Sequence, residues 1–225
     1  MITLIHDGRE SLICLEGALD RLGYAHRRAE RPEQACAAGP LLLGGAGPLD
    51  VACAQLKNSG WWRELPQLAA NGRAVLGLDL GLHLLAEGSE EAPRGTGLGM
   101  IPGIVRRLGP GAKVPHWGWS PVRRQREHPL LPGIRGGWLF FAHFHALEPT
   151  SESLSVAQYG RPFSVMECRG RTVGVQARLE KSGSLGLALL GRTLLALGAQ
   201  PDRDSGRDEE LPGEEGARPF RGDLH

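Results

Sequence analysis

Apolar positions along the first ninety residues alternate between short continuous runs and stretches spaced by three and four, the signature of strands alternating with helices. Ile2 to Ile5 is β-favouring and apolar, and His6-Asp7-Gly8 follows it as a turn. Leu12, Leu15, Ala18 and Leu22 then recur at helical spacing, with Gly23 placed to end the helix. Leu41 to Leu43 predicts a second buried strand and runs into Gly44-Gly45-Ala46-Gly47. Leu49 to Leu56 and Trp61 to Asn71 are helical in pattern, with Pro66 expected to kink or divide the second. Ala74 to Gly77 predicts a further buried strand, and Leu80 to Glu87 a helix after it.

The second half has a different texture. Gly88 to Gly103 is rich in glycine, proline and acidic residues, which predicts a surface loop. Ile104 to Leu108 and Trp138 to Ala142 suit strands of an antiparallel meander, with Lys113 to Trp119 between them. Phe163 to Glu167 and Thr172 to Gln176 flank Arg169-Gly170-Arg171 and predict a hairpin. Ser182 to Leu197 carries leucines on one helical face and is followed by Gly198. Beyond Ala199 the chain is dominated by Asp, Glu, Arg, Gly and Pro and has too little apolar surface to order itself. The pattern predicts an α/β domain over 1–198 and a disordered polar tail over 199–225.

Composition removes several function classes. The chain has 225 residues and a formal charge of +1, with its arginines dispersed, so no nucleic-acid partner is expected. No basic leader precedes the first strand and no apolar run approaches membrane-spanning length, which predicts a cytoplasmic protein without a membrane partner. Cys14, Cys36, Cys53 and Cys168 show no C-x-x-C spacing and suit small buried hydrophobes.

The chemistry-bearing stretch is Gly77-Leu78-Asp79-Leu80-Gly81, between a strand and a helix. Small-x-nucleophile-x-small is the pattern of a strained elbow that lifts its central side chain above a sheet; an ordinary strand, glycine turn and helix has the same residues. Likewise Gly44-Gly45-Ala46-Gly47 offers free backbone N–H groups to a ligand, or is a plain flexible loop. Asp79 and His83 stand four apart, and His143 and His145 alternate along a strand pattern, but these pairs fall short of three or four converging ligands, so no metal is expected. No cofactor is implied.

From Met1 to about Leu197 these segments resemble the triad-type (class I) glutamine amidotransferases, especially the glutaminase subunits of imidazole glycerol phosphate synthase in histidine biosynthesis. Gly77-Leu-Asp79-Leu-Gly81 stands where that family has G-x-C-x-G, and Gly174-Val-Gln176-Ala-Arg178-Leu-Glu180-Lys-Ser182 where it has G-V-Q-x-H-P-E-K-S. Gly44 to Gly47 matches the oxyanion loop, and the K-V-P-H-x-G-W phrase is intact from Lys113 to Trp119. The resemblance implies a flavodoxin-like three-layer fold with a mixed central sheet, and the length suits a single α/β domain. It places the triad positions at Asp79, Arg178 and Glu180, and the oxyanion positions at Gly45, Ala46 and Leu80. It places substrate-binding positions at His83 and Glu87, and a partner interface at Trp119 and Lys181. The first loop, His6 to Ser11, departs from the family's D-Y-G-x-G-N. The partner implied is the cyclase subunit, a (β/α)8 barrel.

Two departures change the chemistry. The nucleophile position holds Asp79 and the base position Arg178; of the triad only Glu180 is retained. A guanidinium stays protonated and offers donors but no acceptor, so it cannot take a proton, and a carboxylate is a poor nucleophile toward an amide. The residues therefore predict a subunit without glutaminase activity, in which Asp79 and Arg178 form a salt bridge with Glu180 as a second acceptor. Two other readings are a pseudoenzyme with a partner outside the pathway, and a hydrolase that uses Asp79 as nucleophile.

Overall fold

The computed structural model describes residues 1–5, 12–45, 47–92, 97–130 and 136–202. Its first half is built from β1 (Ile2–Ile5), α1 (Ile13–Arg21), β2 (His26–Ala29), β3 (Leu41–Leu43), α2 (Leu49–Ser59), α3 (Trp61–Ala70), β4 (Val75–Leu78) and α4 (Leu80–Leu85). Strands β2, β1, β3 and β4 lie side by side and parallel. All of β1, β3 and β4 is buried, so the apolar runs do not alternate in polarity, yet their side chains still alternate in direction. Ile2, Leu4, Leu42, Leu76 and Leu78 enter a core with Leu15, Ala18 and Leu19 of α1. Ile5, Leu41, Leu43 and Val75 enter a second core with α2, α3 and α4. The result is helix, sheet, helix, as the three-layer expectation requires.

The second half adds β5 (Gly88–Ser89), β6 (Ile104–Arg107), β7 (His116–Arg124), β8 (Gly136–His143), β9 (His145–Leu147), β10 (Ser153–Tyr159), β11 (Arg161–Arg169), β12 (Thr172–Val175) and α5 (Gly183–Ala196). Strand β12 pairs parallel to β4, and β11, β10, β7 and β8 continue the sheet antiparallel. Among the described residues the order is β2-β1-β3-β4-β12-β11-β10-β7-β8, a mixed sheet. Leu189, Leu190 and Leu194 of α5 pack in the same core as α1.

Several expectations need correction. Strand β6 does not join Trp138–Ala142 in a meander: it pairs with β5 and β9 in a separate small sheet, while β8 pairs with β7. Residues 93–96 lie outside the described residues, and the rest of Gly88–Gly103 is more than a surface loop. The amides of Leu98, Met100 and Ile101 bond the carbonyls of Leu84 and Leu85 at the C-terminal end of α4, and Ile101 is fully buried. Pro66 leaves α3 unbroken, with Trp61 and Leu65 of the same helix wholly buried and holding its turns in place. The final helix matches its expected span, but the ordered chain continues past 198. Ala199 is buried and the Asp202 amide bonds the Gly23 carbonyl. Residues 203–225 of the expected tail, and the first loop His6–Ser11, lie outside the described residues.

Candidate functional site

The elbow is set by glycines on either side of Asp79. A side chain at Gly77 would run into the Gly81 carbonyl and Leu85, and one at Gly81 would meet the Leu43 carbonyl at 2.0 Å. Only hydrogen fits at either place, so α4 can start directly against β3 and β4. Asp79 adopts φ 52° and ψ −109°, and among the described residues no other non-glycine residue has positive φ. Its amide bonds the Val175 carbonyl of β12, and its carbonyl accepts from Leu82. The strained backbone is held from both sides, and its buried carboxyl is met by Gln176 and Arg178.

The facing residues come from the turn after β12. The Arg178 amide bonds the Phe140 carbonyl of β8, and the Ser182 hydroxyl bridges the Phe140 amide and the Arg178 carbonyl. This anchors the short 3-10 turn Leu179–Lys181 across from the elbow. Arg178 Nε donates to Glu180 Oε1 at 2.7 Å, and Arg178 Nη1 donates to Asp79 Oδ2 at 3.4 Å. The expected ion pair is present, but Glu180, not Asp79, is the closer partner. Gln176, with no exposed surface, donates through Nε2 to Asp79 Oδ1 at 3.1 Å. Its Oε1 must then accept from His83 Nε2 at 3.0 Å, which fixes that histidine as the Nε2–H tautomer.

Burial pushes the Asp79 carboxyl up to about 7; Arg178 pulls it down, Glu180 adds to the rise, and the Gln176 hydrogen bond opposes it. Burial works against the charge on Arg178, but Glu180 and then Asp79 outweigh it and hold its pKa above the ordinary value. His83 is kept neutral chiefly by burial. Because the folded Asp79 holds its proton to higher pH than the unfolded chain does, the group destabilises the fold progressively as pH rises from about 4 to 7. Asp79→Asn removes that penalty. Relative to the unaltered chain it should be near neutral in stability at pH 4 and gain about 2–4 kcal/mol at pH 8, as measured by urea unfolding.

The remaining sequence candidates fall in different places. Gly45 lines a cavity of about 390 Å³ beside Asp79, Arg178 and Glu180. Leu80 follows Asp79 as the first, buried residue of α4. Ala46 lies outside the described residues. His83 is buried beneath Gln176 and reaches Asp79 only through it. Glu87 is not brought to the site. Helix α4 ends at Leu85, so Glu87 is exposed beyond its far end with its carboxylate accepting the Gly103 amide. The acidic residue near His83 is Glu91, whose Oε2 is 3.9 Å from His83 Nδ1 and 3.5 Å from His145 Nδ1. Its Oε1 accepts the Leu49 amide at the start of α2. Gln176 and Glu91 were not singled out from the sequence. The Q in the second motif and the Ser89-Glu90-Glu91 run were the signals available.

His143 and His145 are not on one strand face: the first ends β8 and the second begins β9, in different sheets. His143 Nδ1 faces the His145 carbonyl at 2.9 Å and must donate to it. His143 Nε2 then accepts from His116 Nδ1 at 3.1 Å, and His116 Nε2 accepts from the Ser120 hydroxyl at 2.9 Å. Both rings are thereby fixed neutral. Burial lowers His116 to about 4; burial and then the neighbouring His116 lower His143 to about 3. A lowered histidine binds protons more readily unfolded than folded, so stability is lost as pH falls below 6.5. His143→Gln, which can still donate to the His145 carbonyl, should lose about 3 kcal/mol less than the unaltered chain between pH 7 and pH 4.

With this geometry in view, comparison with known proteins identifies the class. Solved structures with the same fold include a glutamine amidotransferase, with TM-score 0.69 and 18% identity over 88% of this chain and 98% of that one. Another is PurLQS from Thermotoga maritima, with TM-score 0.69 and 13% identity over 87% of this chain and 98% of that one. The fold is that of the class I glutamine amidotransferases. Imidazole glycerol phosphate synthase subunit HisH of Moorella thermoacetica is 38% identical over 192 residues, 84% of this chain and 91% of its own length. The same subunit from Streptococcus gordonii is 36% identical over 193 residues, 84% of this chain and 93% of its own length. No protein-family model matches. The chain belongs to the HisH family of imidazole glycerol phosphate synthase subunits.

Proposed function

We propose that this chain is a glutaminase-family subunit that has lost glutamine hydrolysis and acts as a structural or regulatory partner of a (β/α)8-barrel cyclase in histidine biosynthesis. The observation that carries the proposal is the Asp79–Arg178–Glu180 arrangement, in which a guanidinium sits between two carboxyls. Acyl transfer from glutamine needs a nucleophile and a group that accepts its proton. Arg178 has no lone pair to offer, and both Asp79 oxygens are engaged, one by Gln176 and one by Arg178. The arrangement equally disfavours Asp79 as a nucleophile for a different hydrolysis, because the nearby imidazole of His83 reaches it only through an amide.

Docking has a surface to use. Trp117 and Trp119 of β7 are 70% and 48% exposed, and both pack edge-on to Phe140 of β8. Phe144 is also exposed, and Lys181 follows Glu180 on the anchored turn. Exposed aromatic side chains of this kind have the composition of an interface core. Among the described residues no helix is long and apolar enough to cross a membrane.

The test mixes the purified chain with the barrel cyclase, measures association, and compares ammonia-driven with glutamine-driven turnover. Association is expected, with Trp119→Ala weakening it at least about 30-fold. Turnover is expected on ammonia and not on glutamine. Failure to associate would favour a partner outside the pathway, and glutamine-driven turnover would contradict the proposal.

A further inference from the structure

The cavity beside the elbow combines an apolar lining from Leu12, Leu15 and Leu78 with charges from Asp79, Arg178, Glu180 and Lys181. The charges are layered. The Arg178 side chain is 21% exposed, Asp79 11% and Glu180 6%, so the two carboxyls are tucked beneath the guanidinium. A solute entering the cavity meets the cation first. Arg178 spends Nε on Glu180 and Nη1 on Asp79, while Nη2 makes no hydrogen bond among the described residues. Lys181 is exposed and has no ion-pair partner among them. A volume of about 390 Å³ lies at the lower end of ligand pockets and leaves ample room for a small organic molecule.

We propose that this cavity binds a small organic carboxylate, with its oxygens on Arg178 Nη2 and Lys181 and a short apolar tail against Leu12, Leu15 and Leu78. A carboxylate matches the planar guanidinium edge and gains charge-assisted hydrogen bonds there. A neutral amide offers a single carbonyl oxygen and no opposite charge, so it gains less at the same edge. The proposal goes beyond the loss of glutaminase activity and is measured independently of it. It does not depend on ammonia release or on association with a cyclase.

Cys14 provides the reporter. It is exposed on α1 and lines the same cavity, whereas Cys36, Cys53 and Cys168 are buried. Iodoacetate and iodoacetamide alkylate a thiol by the same step: the sulfur–carbon bond forms, the carbon–iodine bond breaks, iodide leaves and the thiol proton passes to solvent. The reagents differ in carrying a carboxylate or a neutral amide. On the full chain, iodoacetate is expected to modify Cys14 faster than iodoacetamide, with a rate that saturates and that propionate suppresses competitively. Arg178→Gln should reduce the iodoacetate preference about tenfold or more. Lys181→Gln, at an exposed position that the fold does not depend on, should reduce it several-fold. The proposal is overturned if iodoacetamide reacts as fast or faster on the unaltered chain, if propionate gives no protection, or if the preference survives Lys181→Gln unchanged. The propionate and Lys181 arms decide the matter even if Arg178→Gln does not fold.

Discussion

A chain carrying Asp79→Cys together with Arg178→His releases ammonia from glutamine at least about 100-fold faster than the unaltered chain, while either replacement alone stays at background. The reason is that the scaffold around the pair is intact. Gly77 and Gly81 keep α4 pressed against β3, so position 79 remains on the strained turn, and the 3-10 turn holding position 178 is anchored to β8. Glu180, already 2.7 Å from the Arg178 side chain, is placed to accept from an imidazole there and fix its tautomer. A lone cysteine beside Arg178 has no acceptor for its proton, and a lone histidine beside Asp79 has no nucleophile to activate. A glutamate-release assay on all four chains checks this. Background rates in the double variant would place part of the loss outside the pair, with His83 the first residue to examine.

Arg178→Ala lowers stability by about 3–5 kcal/mol at pH 8 and by distinctly less at pH 5. Removing the guanidinium leaves Asp79 and Glu180, with side chains 11% and 6% exposed, without the cation that bridges them. Two like charges taken out of water are destabilising, and the chain relieves this only by holding a proton on one of them. Acid supplies that proton and alkali withdraws it. Denaturant unfolding at the two pH values measures the difference; equal losses at both would mean that packing, not charge, is what Arg178 contributes.

The parallel half of the sheet was legible because β1, β3 and β4 are buried on both faces and their apolar runs have no interruption. The strands expected at Trp138–Ala142, Phe163–Glu167 and Thr172–Gln176 fall in β8, β11 and β12, but β2 and β10 were not legible. Strand β2, His-Arg-Arg-Ala, has a largely polar face, and β10 interleaves serines, of which Ser153 donates its hydroxyl to the buried carboxylate of Glu167. Neither gives an apolar run or a clean alternation. Gly88–Gly103 looked like a surface loop because its composition is polar and glycine-rich, yet the amides of Leu98, Met100 and Ile101 bond the end of α4. Composition does not report where backbone amides find their partners.

At the site, Asp79, Arg178 and Glu180 were recognisable because motif spacing fixes them. Gln176 was visible as a letter of the second motif but not as the bridge between Asp79 and His83, contacts that span 97 and 93 residues of sequence. Glu87 was placed at the site by its match to a family position, on a helix expected to run from Leu80 to Glu87. The helix stops at Leu85, where Ala86 turns extended and the chain folds back toward Gly103.

The central claim is that the carboxyl and guanidinium now facing each other across the elbow cannot cleave the glutamine amide. Incubating the unaltered chain with glutamine, alone and with the barrel cyclase and its substrate, and measuring ammonia or glutamate release tests it most directly. The expected result is a rate indistinguishable from glutamine without protein in both conditions. Release above that background which disappears in Asp79→Ala would contradict it.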